Sequence, residues 1–384
     1  MHAALQSRRA VGQGGLTLIE MMVALAISLA LMLGLTTLFS SVSLSFRVND
    51  ESARLQENGT AALRYLISDL RNAGFYGIGT SSLSVDPASV AGITIAPDCG
   101  PLGSAWALDL SVPLSVTKGL APGTVNASFP CIDGANFYPG SPVIVVRGAT
   151  GTAISAPTGG TIDGAGGPLQ SQPNYSNTLY VQGSTQDPNT VLFFGSAYHA
   201  LRLAGQNRVL KAGTDAPAFE YQTHVYYIRP CSRPSGAAGT RCTASDDGGA
   251  PIPTLVRQEL AGSALQEVAL VEGVEALALS YGIDNADALG NPYGPGAIPD
   301  GIPDQYTSAA PADWGLVTAA RISVRVRSLA PVAGQDDRSK RYDLGDGAGP
   351  FQCAGSDCSY LRQVYAQSAQ LRNCVMRRQG GGLC

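Results

Sequence analysis

Few residues in this 384-residue chain have the types and spacing that enzyme chemistry requires. The three histidines are scattered at positions 2, 199 and 224, and no Cys-x-x-Cys pair accompanies them to bind a metal. The sequence has no Gly-x-Ser-x-Gly turn for a nucleophilic serine and no Gly-x-x-x-x-Gly-Lys-[Ser/Thr] loop for phosphates. We therefore predict that the protein is not an enzyme.

The cysteines could form disulfide bonds. They stand at Cys99, Cys131, Cys231, Cys242, Cys353, Cys358, Cys374 and Cys384. An even number of cysteines is typical of disulfides formed in an oxidising compartment. Many pairings are possible, and the most economical prediction joins each cysteine to its neighbour along the chain.

Four aspartates in a segment rich in Gly and Pro could offer oxygen ligands to calcium: Asp284, Asp287, Asp300 and Asp304. Calcium takes about six to eight oxygens, often from closely spaced carboxylates. An insertion separates Asp287 from Asp300. We therefore favour a solvated turn over a calcium site and expect no cofactor.

The composition narrows the class of protein. Charged residues make up 14% of the chain, against about 25% in typical soluble domains. The net charge of −4 provides no basic field for nucleic acid, so we expect no direct nucleic-acid partner. Low charge, many small residues and an even number of cysteines indicate a secreted or surface protein.

The N-terminus indicates a membrane segment. Residues 1–15 are polar and basic, whereas Met21 to Phe46 carries no charge. A helix over that stretch would be about 39 Å long, enough to span a bilayer. Arg8 and Arg9 predict that the N-terminal end stays cytoplasmic, so the rest of the chain faces the other side. Glu20 interrupts the start of the apolar segment and is a functional candidate for that reason.

The segment Gly15-Leu16-Thr17-Leu18-Ile19-Glu20 resembles the class III signal of type IV prepilins. The resemblance implies that a prepilin peptidase removes residues 1–15 by cutting between Gly15 and Leu16, and that Leu16 is then N-methylated. The family usually has phenylalanine where Leu16 stands. Glu20 falls at the family's conserved glutamate position, where it would pair with the α-amino group of a neighbouring subunit's Leu16, because a buried carboxylate requires a partner charge.

Helical periodicity continues beyond the uncharged stretch. Leu63, Leu66, Ile67 and Leu70 follow the i, i+3, i+4, i+7 spacing of an amphipathic helix. We predict a long helix within residues 16–77, in which 16–46 is the transmembrane or filament-core part and 47–77 packs on a head. The helix should end at Gly74 or Gly77.

Residues 78–384 are predicted to form an extracytoplasmic β-rich head. Strands are expected at 143–146, 178–182, 191–194 and 224–228, with long loops at 147–177 and 285–312. Residues 321–328 alternate strictly, which predicts a half-buried strand with Arg321, Arg325 and Arg327 on a solvated face. A long helix packed on an antiparallel sheet with loop insertions is an α+β fold.

Several stretches resemble the PilW-type minor pilins of the type IV pilus. They are RLQENG from Arg54, DLR-x-AG-F-x-G from Asp69, VEG-V from Val271, YG-x-D from Tyr281, D-x-Y from Asp304, and the tail 363–373. No motif covers residues 78–250. The resemblance implies a pilin-like α+β fold and a role in the tip or initiation complex that primes pilus assembly and supports adhesion and twitching motility.

The partners implied by this resemblance are other minor pilins, the major pilin, the prepilin peptidase, the inner-membrane assembly platform and a large tip adhesin. The implied location is the inner membrane, with the head in the periplasm, and then the pilus at the cell surface. Two alternatives stay open: a J-type pseudopilin of a type II secretion system, and a pilus-tip module that binds a ligand through residues 78–250.

Overall fold

A computed structural model describes residue 15 and residues 17–78, 85–90, 92–100, 106–157, 159–164, 166–211, 213–287, 290–293, 300–311 and 314–371. The chain divides into two compact units between Glu51 and Ser52.

Helix α1 begins at Leu18 and ends at Asn72, so it contributes to both units. Gly74 follows it with a φ of +71°, a left-handed conformation that glycine adopts easily and that commonly ends helices. The shorter helices are α2 (Pro87–Val90), α3 (Val125–Ser128), α4 (Tyr198–Leu203) and α5 (Asp246–Gly249).

The described residues also form thirteen strands. They are β1 (Leu114–Thr117), β2 (Val143–Ala149), β3 (Leu179–Ser184), β4 (Asp187–Phe194), β5 (Val209–Lys211), β6 (Thr214–Asp215), β7 (Ala218–Arg229), β8 (Thr254–Ala261), β9 (Ala264–Glu272), β10 (Val274–Ile283), β11 (Gln305–Thr307), β12 (Val317–Arg327) and β13 (Arg362–Gln370).

A seven-stranded sheet is built around the long strand β7. Strand β2 pairs with one edge of β7, and β1 pairs with β2. On the other edge, β3 pairs with residues 218–220 and β8 pairs with residues 224–229. Strand β4 extends β3, and β9 extends β8. Every pairing is antiparallel.

A second sheet contains four antiparallel strands in the order β11-β10-β12-β13. Strand β12 contains the alternating segment and lies between β10 and β13, with Val324 opposite Tyr365. Strands β5 and β6 form a separate two-stranded ribbon.

The second half of α1 shares one apolar core with both large sheets. Leu66 and Leu70 lie in the same cluster as Ile144 and Tyr226 of the seven-stranded sheet and Ile322 of the four-stranded sheet. The periodic leucines predicted to face the head are therefore buried.

The other face of the seven-stranded sheet is also covered. Val145, Val225 and Tyr227 pack there against Leu110 and Phe137, which lie outside that sheet. Because both faces are buried, strand β2 begins with an unbroken apolar run in which successive residues, Val143 to Val146, are all buried. A third cluster includes Tyr180, Phe193 and Tyr198.

Candidate functional site

The N-terminal segment ends in a reciprocal helix cap. The backbone N–H and the hydroxyl of Thr17 donate to Glu20 Oε2 over 2.9 and 2.8 Å, and the N–H of Glu20 lies 3.3 Å from Thr17 Oγ1. This is the capping-box arrangement, which satisfies amides that would otherwise lack partners at a helix start. Gly15 precedes the helix, and Leu16 lies outside the described residues.

The first part of α1 exposes large apolar side chains. Leu18 is 78% exposed and Phe39 is 74% exposed. By length and composition, α1 could cross a membrane. Apolar surface on this scale marks a contact with lipid or with other protein chains.

Further along α1, the RLQENG stretch docks the helix onto the head. Leu55 is buried, and Asn58 Nδ2 donates to the carbonyl of Glu272 over 3.1 Å. A Cβ built on Gly59 would lie 2.2 Å from the ring of Tyr365. Gly59 therefore allows strand β13 to approach the helix closely, which sequence reasoning did not foresee for this glycine.

Asp69 fixes the helix to strands β7 and β8 through a polar cluster. Its Oδ2 receives hydrogen bonds from His224 and from the hydroxyl of Tyr226, and Arg257 Nη1 lies 3.8 Å from it. Burial opposes ionisation of Asp69, but these bonds and the charges of His224 and Arg257 outweigh it and lower the pKa of Asp69. The sequence places Asp69 in the DLR motif but gives no sign of its partners.

The end of α1 is joined to strand β2. Ala73 bridges to Gly148, and the N–H of Gly74 donates to the carbonyl of Arg147 over 2.9 Å. A Cβ on Gly148 would lie 2.2 Å from the carbonyl oxygen of Asn72. Glycine at 148 is thus required for the helix end to meet the strand.

The four-stranded sheet contains a buried charge cluster. Glu275 Oε1 accepts from Arg325 Nε over 2.6 Å and from Arg362 Nε over 2.7 Å. Arg362 also donates to the carboxylate of Asp357 over 2.6 Å. A buried carboxylate between two guanidinium groups is stable only with this complete set of partners.

The prediction that the arginines of strand β12 face solvent is therefore wrong for Arg325 and Arg327, which are both buried. The segment between β12 and β13 folds over this face. Arg325 stacks 3.6 Å from the centre of the Phe351 ring, and Arg327 stacks 4.2 Å from that of Tyr360. Arg321 is exposed, as predicted.

The aspartates considered for calcium are held by protein donors. Asp284 is fully buried and accepts from the Tyr293 hydroxyl and from the N–H of Gly301, each over 2.7 Å. Burial raises the pKa of Asp284, and the nearby charges of Asp300 and Asp304 add to this effect.

The other three aspartates considered for calcium also accept hydrogen bonds from nearby residues. Asp304 Oδ2 accepts from the N–H groups of Asn285 and Ala286, Asp287 accepts from Asn291, and Asp300 accepts from the N–H of Ile302. These carboxylates organise the backbone of the loop.

The structure joins Cys99 to Cys131, Cys231 to Cys242, and Cys353 to Cys358, which are three of the sequential pairs. The predicted fourth pair, Cys374 and Cys384, lies outside the described residues. Cys231 and Cys242 lie near Asp246. Because both sulfurs are in a disulfide and Asp246 accepts bonds from Thr243, this group is not arranged to ligate a metal.

Comparison with known families agrees with this geometry. The prokaryotic N-terminal methylation motif matches residues 11–36, which include Gly15 and the Thr17–Glu20 cap. The motif, the long apolar helix and the antiparallel sheets that follow in the chain are the features of a pilin-like α+β protein.

The family of type IV pilus-assembly protein W matches residues 240–373, which contain strands β8–β13 and the buried Glu275 cluster. Together, the PilW match and the methylation motif support a minor pilin of the type IV pilus.

Among solved structures, a type IV-like pilin from Thermus thermophilus is similar at 14% identity, over 40% of this chain and 79% of that chain, with a TM-score of 0.19. No curated protein sequence matches the chain.

Proposed function

We propose that this protein is a minor pilin of the type IV pilus, that it is incorporated in the tip or initiation complex that primes pilus assembly, and that it supports adhesion and twitching motility. The observation that carries the proposal is the exposed apolar part of α1 behind a capped N-terminus. Such a surface requires lipid before assembly and neighbouring subunits afterwards. Its role is structural, and no cofactor is part of it.

The processing site is proposed between Gly15 and Leu16, with N-methylation of Leu16. Both hydrogen bonds from Thr17 go to Glu20 Oε2, and among the described residues Oε1 accepts none. An ionised carboxylate has about four acceptor positions. Glu20 can therefore hold its own helix cap and still accept the α-amino group of a neighbouring subunit's Leu16.

The proposed location is the inner membrane with the head in the periplasm, followed by the pilus at the cell surface. The proposed partners are the major pilin, other minor pilins, the prepilin peptidase, the inner-membrane assembly platform and a large tip adhesin. The match to the PilW family supports this placement over the J-type pseudopilin of a secretion system.

Mass spectrometry of the native protein tests the processing step. Wild-type protein should begin at a methylated Leu16, whereas Gly15→Ala should retain residues 1–15. A Gly15→Ala chain of wild-type mass would contradict the assignment.

Counting pili tests the assembly role. A strain lacking the protein should carry few pili, and Glu20→Ala should be cleaved but poorly incorporated. Thr17→Val serves as a matched change at the cap, since it removes the hydroxyl and keeps the carboxylate. Wild-type numbers of pili without the protein would contradict the priming role.

A further inference from the structure

An open cleft lies where the N-terminal strands of the head meet the strands of the PilW match. It has a volume of about 540 Å³ and is bordered by the start of β3 at Leu179, by Glu220 of β7, and by the β8–β9 turn at Gly262. Its position follows from the sheet, because β3 and β8 pair with successive parts of the same edge of β7. The cleft lies where these two strands separate.

The walls of the cleft are held in place by close packing. A Cβ built on Gly262 would lie 2.4 Å from Asn177 Nδ2, so the β8–β9 turn comes close to the segment before β3. That segment is also tied to the end of β4, where a Cβ on Gly195 would lie 2.2 Å from the carbonyl of Tyr175. The cleft is therefore a preformed feature of the fold.

The lining is dominated by groups that donate and accept hydrogen bonds. Ser176 and Thr178 contribute hydroxyl groups, of which that of Thr178 donates to the carbonyl of Asn174 and can still accept, and Asn174, Asn177 and Gln266 contribute amides. Amide and hydroxyl groups can each act as donor and acceptor. This pattern suits a ligand with many hydroxyl groups better than an apolar one.

The cleft also carries negative charge. Glu259 is paired with Arg257, but Glu220 has neither an ion pair nor a hydrogen bond to any other described side chain. Glu220 is exposed on β7; partial desolvation of its carboxylate raises its pKa, and the charge of His224 acts in the opposite direction. A cationic group on a ligand would supply the partner that Glu220 lacks.

We propose that this cleft binds a saccharide that carries an amino group, with its hydroxyls on the amide and hydroxyl side chains and its ammonium group on Glu220. The volume suits one or two sugar rings, within the usual range of about 300–1,000 Å³ for small-ligand sites. The proposal concerns a ligand on the head and does not depend on the role in priming assembly.

Titration calorimetry on the full-length protein in detergent tests the site with three probes. Glucosamine carries hydroxyl groups and an ammonium group. Glucose carries hydroxyl groups only, and 1,5-diaminopentane carries ammonium groups only. Glucosamine should bind at least about tenfold more tightly than either of the others, as expected for a hydrogen bond to a charged group. Absence of glucosamine binding, or equal binding of glucose or of the diamine, overturns the proposal.

Two variants locate the binding. Glu220→Gln should weaken glucosamine about tenfold and leave glucose unchanged, and Gln266→Leu should weaken both sugars. Glu272→Gln, a matched change of an exposed glutamate on β9 outside the cleft, should alter neither. Unchanged glucosamine binding by Glu220→Gln would also overturn the assignment.

Counting pili on cells that express the Glu220→Gln variant separates ligand binding from the assembly role. Glu220→Gln cells should carry normal numbers of pili, because Glu220 does not contribute to the helix or to the buried charge cluster. A loss of pili in this variant would show that Glu220 acts in assembly rather than in ligand binding.

Discussion

Strands β8–β13 and strands β1–β7 use polar groups in different ways. The later strands bury a charge cluster in which Glu275 and Asp357 neutralise Arg325 and Arg362. The earlier part of the head packs two apolar clusters and has smaller buried ion pairs, such as Asp163 with Arg202. It also borders an open cleft in which Glu220 pairs with no other described side chain.

This difference shows which part of the head tolerates change. A buried charge that loses its partner is costly, so each member of the Glu275 cluster constrains the others. A side chain on the wall of an open cleft can change with little effect on folding. The PilW family match falls on the constrained part, and the cleft is largely bordered by residues outside that match.

The largest effect is predicted for Glu275→Gln. The change leaves Arg325 and Arg362 with one fewer negative partner in a buried site, which should lower the free energy of unfolding by about 3–5 kcal/mol. Chemical denaturation of the full chain in detergent measures this loss. A loss of unfolding free energy below about 1 kcal/mol would contradict the view that the Glu275 cluster tolerates change less than the cleft does.

Asp69→Asn should cost about 2–3 kcal/mol at neutral pH, because it removes hydrogen bonds to a charged group. The ordinary pKa of aspartate is about 3.9, and the folded pKa of Asp69 is lower. The stabilisation is therefore present above about pH 4 and is lost as the pH falls through the folded pKa. Denaturation curves of wild type and variant should converge in acid; a gap that is constant with pH would contradict this account.

Gly59→Ala should cost about 1–2 kcal/mol, since its Cβ meets the Tyr365 ring and overpacks the contact. Tyr365→Ala in the same chain should recover part of that loss, which a double-mutant cycle of unfolding free energies measures. Gly34→Ala is the matched control, because nothing lies within 4 Å of a Cβ there. Equal effects at both glycines would rule out the steric explanation.

The smallest effect is predicted for Arg241→Gln. Arg241 is 58% exposed and pairs with Asp133 over 2.6 Å, which links the later part of the head to the earlier part. An exposed ion pair contributes less than about 1 kcal/mol, and the contribution falls with added salt. Melting of the variant at low and high salt tests this; a large salt-independent loss would mean that the link between the parts is stronger than its exposure suggests.

The sequence predicts the elements with strong local periodicity. Helix α1 and strands such as β2 and β12 have patterns that depend on the spacing of their own residues. The α+β fold and the pilin family follow from these elements and from motifs at both ends of the chain.

Contacts between distant residues were not predictable in the same way. His224 reaches Asp69 across 155 positions, and Gly59 meets Tyr365 on a different element. The burial of Arg325 and Arg327 depends on the segment after β12, which has no periodic pattern of its own. Alternation identifies the two faces of a strand but does not show which loop covers the outer one.

The Cys353–Cys358 disulfide encloses Asp357, the carboxylate that Arg362 contacts. One of the two carboxylates that pair with the buried Arg362 guanidinium thus lies within a short ring, which closes when the two thiols are oxidised. Oxidation of Cys353 and Cys358 therefore fixes the segment that carries Asp357. An unoxidised chain would hold Asp357 on a looser segment and would keep its bond to Arg362 less firmly.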